Sequence, residues 1–373
     1  MPAPKPQNID WISNLRLIAL YAVIVLHSSA QLLAEYGKVS ASDWWTADIF
    51  NAIVRFAVPV FVMITGALLL HREYEIGDFL KKRLTRVIVP FLFWSLVYVW
   101  YSWYSEQVTF TGDTWAHVKQ VLHLLKTGAT AYHLWYVYML IGLYFFIPVI
   151  GKFVRNASEK EILYFLIVWF SVMLITQPYL SRYNPSVDMH YFAGFAGYLV
   201  LGHYLAFKDF NIKNLRGWMI ALFLFSVALI AIGSRVLTNY PKWPGTMFYE
   251  PVNPAVVMLS ASIFMIVKLT MPKVPPIIIR ARDFAGKYNY GIYLSHALVL
   301  YFLDDPFDFI YKPCAPVLNY LFHDDIPFDF SISYRLCTPA IAIPLTALLC
   351  FFISLLLVWM ISKIPFIGKW ISG

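Results

Sequence analysis

The chain alternates between long apolar runs and short polar, mostly basic segments. A helix rises 1.5 Å per residue, so roughly 20 residues cross a ~30 Å hydrocarbon core. Runs of about that order recur near 12–34, 48–70, 87–104, 134–151, 162–180, 192–207, 217–238, 255–271, 288–303 and 336–361. Lipid offers backbone N–H and C=O groups no partners, which favours helices that satisfy their own. The pattern predicts an all-α, polytopic membrane protein with about ten transmembrane helices.

Two connecting segments have a character of their own. Residues 114–128, TWAHVKQVLHLLKTG, repeat apolar positions at helical spacing and predict a short helix lying at the outer surface. Residues 304–335 interleave Asp304, Asp305, Asp308, Asp324 and Asp325 with aromatics and prolines, as expected of an ordered loop capping a site. No internal repeat and no segment large enough to fold in water stands out. Residues 1–373 are therefore expected to form a single transmembrane domain with no soluble appended domain.

Composition agrees with this picture. Hydrophobic residues make up 60% of the chain and charged residues 13%, against about 25% charged in soluble domains. The first run is too long for the apolar core of a signal peptide, carries Arg16 and His27, and is expected to persist as a membrane helix. A net charge of +8 could suggest nucleic acid, but the basic residues sit in loops between spans, where orientation signals lie, so no nucleic-acid partner is expected. With ten spans, 19 Lys and Arg fall on the side of the termini and 8 on the other, which places both termini in the cytoplasm. Three cysteines show no metal-ligand spacing, and no metal is expected. Cys314 and Cys337 could pair in an oxidising compartment or serve as small apolar residues.

Two basic residues, Arg16 and Arg55, fall inside spans, where an unpaired charge is costly and marks a functional candidate. Arg16 and His27 are eleven residues apart, about 20° around the helix and ~16 Å along it, so they share a face. One titratable histidine there could simply bond a neighbouring carbonyl; a guanidinium on the same stripe favours function. Arg55 could equally tie its helix to a carbonyl or carboxylate elsewhere. The first cytoplasmic loop clusters Lys81, Lys82, Arg83 and Arg86, which suits lipid headgroups or a polyphosphate. His133, Trp135, Tyr293 and His296 lie toward outer helix ends, as interfacial belt residues or as a platform for a sugar ring.

In order and placement these pieces resemble the acyltransferase-3 family of integral-membrane acyltransferases. The resembling parts are Asn14-Leu15-Arg16 followed by ten residues and His27, the stretch RFAVPVFVMITG from Arg55 to Gly66, RLTR from Arg83 to Arg86, HLW from His133 to Trp135, and GIYLSHALV from Gly291 to Val299. The resemblance covers nearly the whole chain. It implies a multi-pass enzyme of the bacterial cytoplasmic (inner) membrane that takes an acyl group, most often acetyl, from a cytoplasmic acyl-CoA. It implies O-acylation of a surface polysaccharide or lipid-linked glycan, with membrane lipids around it. Acetyl-CoA or another acyl-CoA serves as co-substrate, and no permanently bound cofactor is expected.

On this reading Arg16, Lys82, Arg83 and Arg86 bind the donor, and Arg16 with His27 forms the catalytic pair. His27 takes the proton of an acceptor hydroxyl as it attacks the thioester, or carries the acyl group briefly itself. Arg55, His133, Trp135, Tyr293 and His296 bind the acceptor or support the site. The rival class is a secondary transporter or lipid flippase, which would also carry intramembrane charges but often shows paired halves, and none is visible here.

Overall fold

The computed structural model describes residues 10–177, 194–238, 245–270, 274–304 and 337–372. Most of the 304–335 loop, with Cys314, lies outside the described residues. The helices run, in order, α1 (Asp10–Ala34), α2 (Ala41–Val54), α3 (Ala57–Leu69), α4 (Ile76–Tyr104), α5 (Thr114–Thr127), α6 (Trp135–Asn156), α7 (Glu159–Ile175), α8 (Ala196–Phe207), α9 (Leu215–Thr238), α10 (Pro254–Leu269), α11 (Pro276–Lys287), α12 (Asn289–Asp304), α13 (Pro339–Ile361) and α14 (Gly368–Ile371).

Among the described residues, seven stretches are long and apolar enough to cross a membrane: Asp10–Ala34, Ala41–Leu69, Ile76–Tyr104, Tyr132–Asn156, Leu215–Thr238, Met247–Leu269 and Pro339–Ile361. The expected spans at 162–180, 192–207 and 288–303 coincide with α7, α8 and α12, whose 17, 12 and 16 helical residues fall short of that length. The segment expected to lie as a short amphipathic helix is α5, capped by Asp113 at its start and closed by Gly128 at φ 70°.

The run 48–70 lies in one candidate span, Ala41–Leu69, built of two helices. The chain turns at Arg55 and Phe56, between α2 and α3. Pro59 explains the break: it has no N–H to give the Arg55 carbonyl four residues back, and its ring would press on that oxygen.

The chain divides into two compact units. One comprises Met1–Val23, Ala52–Val87 and Tyr136–Lys287. Within it α3 and α8 pack backbone to backbone. A Cβ at Gly66 would lie 2.0 Å from the Leu199 oxygen, and one at Gly202 would lie 2.1 Å from that of Met63. Such small-residue contacts let membrane helices gain van der Waals contact where the hydrophobic effect offers little. Helix ends in this unit are tied down by polar side chains. Arg155 donates to the carbonyls of Leu70 and Arg72 just beyond α3, Lys208 meets Glu159 at 2.5 Å, and Arg282 of α11 binds Asp10 and Asn14 at the start of α1.

The other unit comprises Ile24–Asn51, Ile88–Trp135 and Tyr288–Gly373. Here α12 packs on α13, and a Cβ at Gly291 would lie 2.1 Å from the Ser372 carbonyl oxygen. The Trp94 indole donates to the Ile371 carbonyl at 3.3 Å. Leu92, Leu96, Trp100 and Trp103 of α4 are exposed at helical spacing, an outward apolar face suited to lipid.

Candidate active site

The second unit gathers three of the singled-out histidines. His27 comes from α1, His133 from the 3-10 turn Tyr132–Leu134 just ahead of α6, and His296 from α12. The His27 and His296 rings stack at 5.3 Å between centroids with 27° between planes. His133 meets His296 edge to face at 4.9 Å. His133 and His296 are 1% and 0% exposed, whereas His27 is half-buried.

Backbone carbonyls set the protons on the two buried rings. His296 Nδ1 lies 2.5 Å from the Tyr293 oxygen and His133 Nε2 lies 3.3 Å from the Leu294 oxygen. A carbonyl only accepts, so these nitrogens carry the hydrogens and each neutral ring keeps a lone pair on its other nitrogen. Those nitrogens, His296 Nε2 and His133 Nδ1, are buried and without hydrogen-bond partners in the described structure. Rings this close resist holding two positive charges at once, since each charge raises the cost of the next.

Tyrosines fix this arrangement. Tyr293 donates to the His133 carbonyl at 2.5 Å, and Tyr98 donates to the Leu294 carbonyl at 2.8 Å while accepting from the Leu298 amide. Cys350 of α13 donates through Sγ to the His296 carbonyl. Tyr132 packs its ring 4.8 Å from that of His27 and 6.3 Å from that of Tyr301, which stacks on Tyr101. Trp135 stands 42% exposed at the first residue of α6.

The same unit buries a polar pair that the sequence reading passed over. Asp48 and Asn51 of α2 are 0% exposed, and Asn51 donates to the Leu26 carbonyl and the Ser29 hydroxyl beside His27 in sequence. Their spacing was the available signal: Asp48, Asn51 and Arg55 fall at i, i+3 and i+7, a polar stripe at the start of an apolar run.

The first unit holds the basic residues. Arg16 lies within electrostatic reach of Arg86 and of Tyr136. Arg83 and Arg86 both act on Tyr144, and Arg72, Arg83 and Arg155 all act on Tyr74. Burial raises the Tyr74 phenol above its ordinary value, and those three guanidiniums pull it back down. Among the described residues the carboxylate paired with this group is Glu73, 4.0 Å from Arg155. Guanidiniums so poorly matched by carboxylates favour a polyanion, which they can bind through paired N–H groups. Lys82 is exposed on the same helix. Arg55 lies elsewhere in this unit, donating to the Tyr249 carbonyl at 3.2 Å with its guanidinium 4.2 Å above the Tyr249 ring.

Comparison with known proteins identifies the family. A family model described as an acyltransferase domain matches residues 9–363. YfiQ of Bacillus subtilis (strain 168), which carries the provisional name of a membrane-bound acyltransferase, is 27% identical over 312 residues, covering 78% of this chain and 80% of that protein. No solved structure matches the chain.

Proposed function

The chain belongs to the acyltransferase family whose domain model spans residues 9–363 and is a multi-pass, membrane-bound acyltransferase; from that premise we propose that it O-acylates a surface polysaccharide or lipid-linked glycan, using acyl-CoA from the cytoplasm. The enzyme resides in the bacterial inner membrane as one transmembrane domain of about ten spans with cytoplasmic termini. Arg16, Lys82, Arg83 and Arg86 hold the donor's phosphates and guide its acyl end. His27 accepts the proton of the acceptor hydroxyl as that oxygen attacks the thioester carbon, and the proton then passes to the departing thiolate.

The observation that carries this reading is the half-buried His27 ring stacked on the buried imidazole of His296, which the buried His133 ring meets in turn. An imidazole of pKa near 6.5 suits proton transfer at working pH. His133, Tyr293 and His296 support that ring, Trp135 is available to a sugar, and Arg55 holds its own turn through Tyr249. Acetyl is the donor group we favour, because YHLW, RFAVPVFVMITG and GIYLSHAL resemble the enterobacterial common antigen O-acetyltransferase.

Mass spectrometry of surface glycans from cells with and without the protein tests the proposal. An acyl mass increment present only with the protein, together with acyl-CoA consumption by the purified enzyme, is expected. Coupled solute flux with neither would mark a transporter instead.

A further inference from the structure

His133 and His296 are buried, so the half-buried His27 is the imidazole of the three that an acceptor can reach. The exposed ring packed on it is that of Tyr132, 49% exposed and edge to face with His27 at 4.8 Å. Tyr132 begins the 3-10 turn that leads into α6, where the next backbone carbonyl, that of His133, is held by the Tyr293 hydroxyl. The His133 ring is anchored to the Leu294 carbonyl on α12. The turn that carries Tyr132 is thus fixed at two points, and the ring is a preorganised platform in contact with His27.

Tyr301 extends the platform. Its ring meets Tyr132 nearly perpendicularly, at 85° and 6.3 Å, and lies parallel to Tyr101 at 5.2 Å. Aromatic faces set at an angle beside a titratable imidazole match a pyranose, whose C–H face packs on a ring while its edge presents hydroxyls.

We infer that Tyr132, with Tyr301 behind it, forms the acceptor subsite: a sugar ring packs on Tyr132 and so brings one hydroxyl to His27. This rests on the acyltransferase reading above and adds the residue that selects a carbohydrate over water. Tyr132 is then a specificity-determining residue, distinct from the base.

Membrane vesicles from glycan-producing cells, supplied with acetyl-CoA labelled in its acetyl group, provide the test. Label entering glycan and label released as free acetate are both measured above the background of a His27→Ala strain. Tyr132→Leu is expected to lower the ratio of glycan label to acetate about tenfold, in line with losing an aromatic contact. Tyr132→Phe, which keeps the ring, is expected to restore the ratio.

A wild-type ratio in Tyr132→Leu would overturn the inference and leave Tyr132 an interfacial belt residue. So would an equal loss of glycan label and acetate in a variant that still binds acetyl-CoA and melts at the wild-type temperature, because that pattern places the defect at His27. If Tyr132→Leu fails to fold, the same ratio in Tyr301→Leu decides, a fall supporting the subsite and no change overturning it. Wild-type vesicles that neither label glycan nor release acetate would overturn the acyl-CoA reading itself.

Discussion

His27 and His296, 269 positions apart in sequence, stack their imidazoles at 5.3 Å with nearly parallel planes. The buried ring supports the half-exposed one and, being hydrogen-bonded to the Tyr293 carbonyl through Nδ1, does not compete as a donor toward it. His27→Ala is expected to cut acyl transfer by about 10²–10⁴-fold, the usual loss on removing a general base. Acyl-CoA affinity, measured by titration calorimetry in detergent, should change little. A stable His27→Ala protein with near-normal turnover would move the base to another residue.

Arg83→Ala combined with Arg86→Ala should weaken acyl-CoA binding far more than it lowers the melting temperature. The two guanidiniums lie on the polar first turns of α4 and share the surroundings of Tyr144 with no carboxylate partner among the described residues. Calorimetry with CoA and with its dephospho form would identify the phosphate contribution. Unchanged affinity in a folded double variant would reduce the cluster to a topology signal.

Tyr293→Phe removes the hydroxyl that holds the His133 carbonyl while keeping the ring. A neutral hydrogen bond contributes about 0.5–1.5 kcal/mol net, so the melting temperature should fall only slightly. Turnover should fall more than stability does, because that bond sets the turn carrying Tyr132 and His133. Thermal unfolding and initial rates on the same preparation separate the two effects.

Gly202→Ala should be severely destabilising, since its methyl would sit 2.1 Å from the Met63 carbonyl oxygen and α3 would have to part from α8. Overpacking against side chains costs about 1–3 kcal/mol, and a backbone cannot yield as a side chain does. Gly142→Ala, where nothing lies within 4 Å, is the matched control and should be tolerated. Fluorescence-detected size exclusion across a temperature series would rank the two.

Periodicity and apolar run length were enough to locate nearly every helix, because lipid makes helix formation a local matter. They did not reveal the break at Arg55, because Pro59 sits in an otherwise continuous apolar run and its effect falls four residues upstream. His27, His133 and His296 were each legible as candidates from their placement, and Tyr293 from its motif. Their convergence was not, since it depends on α1, α12 and the turn before α6 meeting in space. Asp48 and Asn51 escaped notice because polar residues near the start of a run look like part of the preceding loop. The Arg282 link to Asp10 and Asn14 had no local signature, joining residues 272 and 268 positions apart.

The packing of Gly291 against the Ser372 carbonyl and the indole of Trp94 on Ile371 bear on biogenesis. The helix bearing His296 gains a close backbone neighbour from residues translated after the other described residues of this unit. That contact cannot form until residues 368–372 have left the ribosome, so the helix bearing His296 packs on this stretch only after the preceding described elements of the unit have been made. A cut that removes residues 368–372 should therefore leave the three histidines in the chain while loosening the helix that carries His296, an effect read as a lower melting temperature.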